Sequence, residues 1–356
     1  MSLHVRENNF DLLRIFCMLC VVILHTSSQC IIPAEKAYGA VLEEVLFFNV
    51  FSRMAVPCFI MISGAFLLAK PAIDIQKFYQ KTWQRLGKPT VFVSIACFAY
   101  VVLKSALLAY FDQLPVSFAE KIITLFWNTL NGAPYYHLWY MYMLFGLYMV
   151  TPLLLAIKKN LSQGQYLALT IVFLLAGVGQ HHTGAVFWLF DWVQYVGYFM
   201  CGNCIKERAA ALPLPKGVWA GASLVLLLLA WGITCVYTQY LHLDMHTALF
   251  APFASLKSHA YDFFIVPNAE IIIAASVCFF IFFARLSVQR SYAKAADLTF
   301  FLYLVHAPVL DVLMTIHNAI QPRMQHVLVH MCTLAVLTLV FSSVLAWKMR
   351  QAFTLE

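Results

Sequence analysis

Asp11, Arg14 and His25 stand in the apolar run FDLLRIFCMLCVVILH, residues 10–25. A helix turns about 100° and rises about 1.5 Å per residue. Arg14 and His25 are eleven positions apart. They therefore fall within about 20° of each other in rotation and about 16 Å apart along the axis, and Asp11 lies within about 60° of Arg14. One stripe thus carries a carboxylate, a guanidinium and an imidazole. Ionisable groups in a membrane span face a protein interior or a wet cavity and are functional candidates by default. An imidazole exchanges protons near neutral pH. A guanidinium grips phosphate or a developing oxyanion. The plain alternative is an Asp11–Arg14 pair at the membrane edge and a hydrogen-bonded interior histidine.

Other residues could add to this chemistry. Arg53 leads the run SRMAVPCFIMISG, in which Pro57 and Gly64 are expected to weaken or kink a helix. It either snorkels to the interface or presents a cation to an acceptor or oxyanion. Lys70 to Pro89, with Lys81 and Arg85, is the most basic stretch. It reads either as positive-inside charge or as a phosphate-binding mouth. His137 and Trp139 lie in PYYHLWY; an aromatic belt explains the rings but not the histidine. His306 sits mid-run in FLYLVHAPVL, where an imidazole is costly without a partner. The stretch from His242 to Val266, with Asp244, His246, His259 and Asp262, is long enough to help shape an outer pocket. His181 and His182 read as solvated. Cys201 and Cys204 form a CGNC without a second ligand pair, so no metal site is expected.

Apolar residues make up 62% of the 356-residue chain and charged residues 11%, far below the roughly 25% charged of soluble domains. The composition predicts an all-α polytopic membrane protein whose helices satisfy their own backbones. Windows near 20 residues fall at about 10–29, 45–69, 89–110, 136–157, 165–180, 187–205, 217–240, 267–285, 297–316 and 326–347. That gives about ten spans in a single domain over 1–356. With the N-terminus inside, sixteen Lys and Arg fall on inner segments and four (Lys36, Lys121, Lys257, Arg323) on outer loops. Both termini are therefore expected in the cytoplasm. The net charge of +7 follows from the same rule and implies no nucleic acid. The first run is too long for a cleavable signal peptide, is interrupted by Arg14 and lacks a small-residue cleavage site.

Five segments in order resemble the acyltransferase-3 family of integral membrane acyltransferases. They are the Arg14–His25 spacing, SRMAVPCFIMISG, FYQKTWQRLGKP, YYHLWYMYMLFGLYMVTPLL and FLYLVHAPVL. The likeness covers essentially the whole chain. The second- and fourth-span segments look most like the branch that O-acetylates enterobacterial common antigen. Where relatives often carry Arg-x-x-Arg, this chain has Thr82, flanked by Lys81, ahead of Arg85.

The resemblance implies an O-acetyltransferase of the bacterial inner membrane. Acetyl would pass from cytoplasmic acetyl-CoA to a hydroxyl of a cell-surface or lipid-linked sugar. His25 would be the general base or an acyl carrier, with Arg14 and Asp11 completing the catalytic group. Lys81 and Arg85 would hold the donor. Arg53, His137, Trp139 and His306 would meet the acceptor. No metal cofactor is implied. Two rival classes stay open: a secondary transporter using intramembrane ionisable residues, and a non-catalytic glycolipid binder.

Overall fold

A computed structural model describes residues 7–37, 40–71, 73–112, 123–124, 126–128, 135–183, 188–243, 263–320 and 326–354. Among them the chain is helical, with no strand. The main helices are α1 (Asn8–Ala37), α2 (Ala40–Ser52), α3 (Ala55–Leu67), α4 (Ile75–Thr82), α5 (Lys88–Asp112), α6 (Trp139–Asn160) and α7 (Gln163–Thr183). They continue with α8 (Val196–Arg208), α9 (Lys216–Leu243), α10 (Glu270–Ala284), α11 (Thr299–Ile320) and α12 (Val327–Thr354).

Seven described stretches are long and apolar enough to cross a membrane: Asn8–Ile31, Val41–Leu67, Ile75–Leu107, Trp139–Asn160, Lys216–Thr238, Thr299–His317 and Val327–Phe353. The windows at 165–180, 187–205 and 267–285 are helical too. They correspond to α7, to a 3-10 turn (Trp188–Tyr195) leading into α8, and to the short apolar α10.

The first helix is the hub. It packs against α2, α3, α10, α11 and α12. Its buried face includes Phe10, Leu13, Cys17, Val21 and Val22. Two asparagine amides fasten its start: Asn8 Nδ2 donates to the Val288 carbonyl at 3.1 Å, and Asn9 Nδ2 to the Phe283 carbonyl at 3.1 Å.

The second span is broken rather than kinked. Its two helices meet at Arg53–Met54. Pro57 falls in the first turn of α3, where its missing N–H removes no intrahelical bond. Gly64 lies within α3, which runs on to Leu67. A Cβ there would stand 1.7 Å from the Phe199 carbonyl oxygen, and one at Gly202 would stand 1.9 Å from the Met61 carbonyl oxygen. Two hydrogen-only positions thus let α3 and α8 meet backbone to backbone, as small residues do between membrane helices.

The basic stretch from Lys70 to Pro89 is mostly helical. Asp74 caps α4 by accepting from the Lys77 N–H at 3.1 Å. Phe78 and Thr82 supply its buried side. A π-helical turn, Trp83–Gly87, then joins α4 to α5. The Trp83 ring rests on Gly87, where a Cβ would come within 2.3 Å of it. Such turns recur at functional sites.

Candidate functional site

At the N-terminal end of α1, Asp11 and Arg14 meet as their spacing allows. The Asp11 carboxylate is fully buried and accepts from Arg14 Nη1 at 2.7 Å. The guanidinium lies over the Phe66 ring of α3, 5.3 Å from its centroid. The Lys206 ammonium of α8 approaches the same ring at 4.0 Å and is paired with Glu7. Cations over an aromatic face are attracted by its quadrupole.

A chain of aromatic contacts connects this corner to the basic stretch. Tyr148 lies within reach of the Arg14 charge and the Ser63 hydroxyl. It stacks with Phe78 at a centroid separation of 6.3 Å. Lys70 sits over Phe78 at 5.7 Å. Burial, with the nearby charges of Lys81 and Arg85, holds the Lys70 ammonium below the usual lysine range. Lys81 and Arg85 themselves are exposed. Three cations beside two aromatic rings suit a phosphate-bearing ligand with a planar ring.

Toward the other end, three imidazoles from three elements converge. The His25 ring is 5.1 Å from that of His306 on α11, and His306 is 5.1 Å from His137, just before α6. His137 and His306 are fully buried, and His25 is half-buried. His306 Nδ1 lies 2.7 Å from the Tyr303 carbonyl, and His137 Nε2 lies 3.1 Å from the Leu304 carbonyl. A carbonyl only accepts, so each of these nitrogens carries the proton. The tautomers are thereby assigned, and His306 Nε2 and His137 Nδ1 are left as lone-pair acceptors. Both are buried without a partner among the described residues, so either can accept from a hydroxyl that reaches it. The Tyr303 hydroxyl donates to the His137 carbonyl at 2.7 Å and braces the pair.

Arg53 approaches from the helix break. Its Nε donates to Asn49 Oδ1 at 3.1 Å. Asn49 Nδ2 in turn donates to Ser27 Oγ at 3.1 Å and Ser28 Oγ at 2.9 Å, just past His25 on α1. This network fixes the guanidinium where its charge is felt at His25. The other neighbour of His25 is Tyr136, its ring 5.1 Å away and 43% exposed. The imidazole therefore faces the bundle interior beside an accessible aromatic ring.

The predicted residues thus fall into two groups. Asp11 and Arg14 meet at the N-terminal end of α1, joined through Tyr148 and Phe78 to Lys70 and the charges of Lys81 and Arg85. His25, Arg53, His137 and His306 form the second group. Trp139 joins neither, since its ring packs against Tyr140 and Tyr195. His182, read as solvated, lies 2.6 Å from a Glu270 oxygen. Asp244, His246, His259 and Asp262 lie outside the described residues. No group of three or more His, Cys, Asp or Glu among the described residues is arranged to hold a metal.

Sequence reasoning missed a polar knot between α5 and α11. Asp311 accepts from the Tyr100 hydroxyl at 2.6 Å and from Lys104 Nζ at 2.7 Å. The available signal was a carboxylate five residues past His306 in an apolar run.

Residues 7–347 match the acyltransferase-3 family model, described as an acyltransferase domain. A protein of Enterococcus faecalis named as an amino-acid racemase is 26% identical over 362 residues, covering 96% of this chain and 46% of that protein. The chain thus spans just under half the length of this curated relative. No solved structure matches it.

Proposed function

Since the chain belongs to the acyltransferase-3 family, we propose that it transfers acetyl from cytoplasmic acetyl-CoA to a hydroxyl of a cell-surface or lipid-linked sugar. The membrane would be the bacterial inner membrane. The observation that carries this reading is the trio of histidines: two buried lone pairs and a third, half-buried imidazole beside an Arg at a helix break. Such a pocket accepts a hydroxyl proton on one side and can face a carbonyl oxygen with a cation on the other.

In the direct route, His25 takes the proton as the sugar oxygen bonds to the thioester carbonyl carbon. The Arg53 cation faces the resulting oxyanion. As the tetrahedral intermediate collapses, the C–S bond breaks, and the imidazolium returns the proton to the departing CoA sulfur. In the covalent route, His25 attacks the thioester carbon and the C–S bond breaks to release CoA thiolate; the sugar oxygen then attacks the acetyl-imidazole, its proton passes to a neighbouring imidazole lone pair, and the C–N bond breaks to free His25. His306 and His137 orient the hydroxyl or the His25 ring. Arg14, held by Asp11, continues the donor path that begins at Lys70, Lys81 and Arg85.

Enterobacterial common antigen is the first acceptor to try, given the second- and fourth-span resemblance. The test is label transfer from acetyl-CoA to glycan in proteoliposomes, comparing the wild type with His25→Ala at equal folded amount. Loss of transfer with retained donor binding supports the assignment; undiminished transfer ends it. Labelled protein formed without acceptor would favour the covalent route.

The break at Arg53–Met54 also suits a transporter, because discontinuous helices build substrate sites at the membrane midplane. That reading requires a solute to cross chemically unchanged in the same proteoliposomes.

A further inference from the structure

Beyond the histidines, a row of aromatic rings runs from His25 to the Asp311 knot. Tyr136 is 5.1 Å from His25, Tyr135 is 5.0 Å from Tyr136, and Tyr100 is 6.5 Å from Tyr135. At the far end, Tyr100 and Lys104 both donate to the same oxygen of Asp311, Oδ2. Oδ1 receives no bond from the described residues, and the Asp311 side chain is 30% exposed. Asp311 follows His306 by five positions on α11, which places it about 7.5 Å further along the helix axis. The row therefore begins at a carboxylate with a spare acceptor and ends at the imidazole assigned to proton transfer.

We propose that Tyr100, Tyr135, Tyr136 and Asp311 form an acceptor subsite selective for an uncharged pyranose. The inference rests on the reading of the acceptor as a sugar. Two features set its selectivity. Oδ1 accepts a ring hydroxyl in a charge-assisted bond, while the C–H face of the pyranose covers apolar tyrosine ring surface. The ion pair sets the charge preference. Lys104 balances Asp311 at 2.7 Å, so a cationic sugar meets the ammonium and an anionic sugar meets the carboxylate. A neutral sugar meets neither penalty.

The test uses the full chain in nanodiscs and reads saturation-transfer NMR from three probes. These are methyl glucopyranoside (neutral), methyl glucosaminide (cationic) and methyl glucuronide (anionic). Acetyl-CoA binding to each variant serves as the folding control. The wild type is expected to favour the neutral probe. Lys104→Met leaves Asp311 uncompensated and should shift preference toward the cationic probe by about tenfold. Asp311→Asn leaves Lys104 uncompensated and should shift it toward the anionic probe. Tyr136→Leu should weaken all three together.

A wild type that binds no probe, or binds all three alike, overturns the proposal. So does an unchanged ranking in both charge variants. If those variants lose donor binding, the wild-type ranking alone decides. The readout needs no turnover, so its failure is separable from that of the acyl-transfer reading. A neutral preference without acetyl transfer to any sugar sinks that reading and leaves the subsite; transfer with a flat ranking does the reverse.

Discussion

Two substitutions at His306 separate its two nitrogens. Asparagine can place an amide N–H near the position of Nδ1, so His306→Asn can keep the donation to the Tyr303 carbonyl, now 2.7 Å long. It deletes Nε2, the buried atom without a partner. Glutamine reaches toward Nε2 and gives up the Nδ1 bond. A neutral hydrogen bond contributes about 0.5–1.5 kcal/mol. His306→Gln should therefore melt earlier by that amount of stability, and His306→Asn should melt near the wild type.

Activity should follow the opposite order. At 5.1 Å between ring centroids, a side-chain rotation can bring a nitrogen of His306 within about 2.9 Å of one on His25, a hydrogen-bond distance. Losing a group that orients the proton acceptor raises the barrier by about 1.4–2.7 kcal/mol, or about 10- to 100-fold in kcat. The donor KM should stay fixed, because the proposed donor path lies toward Arg14. The assay is steady-state acetyl transfer in proteoliposomes beside thermal melting of the same preparations. His306→Asn with wild-type kcat would refute the argument, as would His306→Gln turning over more slowly than His306→Asn.

Three further outcomes follow from other contacts. Gly64→Ala and Gly202→Ala each force a methyl into an opposing backbone; each should cost about 1–3 kcal/mol or more in a detergent melt, with activity per folded molecule retained. Arg53→Lys keeps the charge but loses the Nε bond to Asn49, so kcat should fall about tenfold at unchanged folded yield. Lys70 is held below the lysine range, so its charge opposes folding at neutral pH, and that penalty fades as pH rises through its folded pKa toward its unfolded value. Lys70→Gln should therefore melt later than the ligand-free wild type at pH 7, with the gap closing at alkaline pH. It should also bind acetyl-CoA more weakly, with a flatter salt dependence.

What was legible in the sequence was whatever lies along one helix. Asp11, Arg14 and His25 share a stripe because rotation per residue is fixed by helix geometry, and the Asp11–Arg14 contact at 2.7 Å needs no other element. The convergence of His25, His137 and His306 depends on how three elements pack, which no local period encodes. Lys104 and Asp311 lie 207 positions apart, so the charges were visible but not their pairing. The contact at Gly64 was hidden for the same reason: its local effect is a weaker helix, while the Phe199 carbonyl that a side chain there would strike comes from another element. The helix at Ile75–Thr82 escaped notice because eight residues give a periodic signal little room beside so many charges.

The fixed tautomers narrow what the histidine cluster can welcome. His306 and His137 each commit their N–H to a backbone carbonyl, so both present acceptors and neither offers a proton. A ligand carbonyl or carboxylate would find two lone pairs facing its own. An ammonium would find acceptors, but it would also share the space around His25 with the charge of Arg53, at a cost that grows as water is excluded. A hydroxyl satisfies both conditions: it donates to one imidazole and carries no net charge against the guanidinium. The cluster is therefore complementary to a hydroxyl, which is what the proposed ester-forming transfer asks of it. A tightly bound organic cation there, unaffected by Arg53→Met, would contradict this ordering of charges.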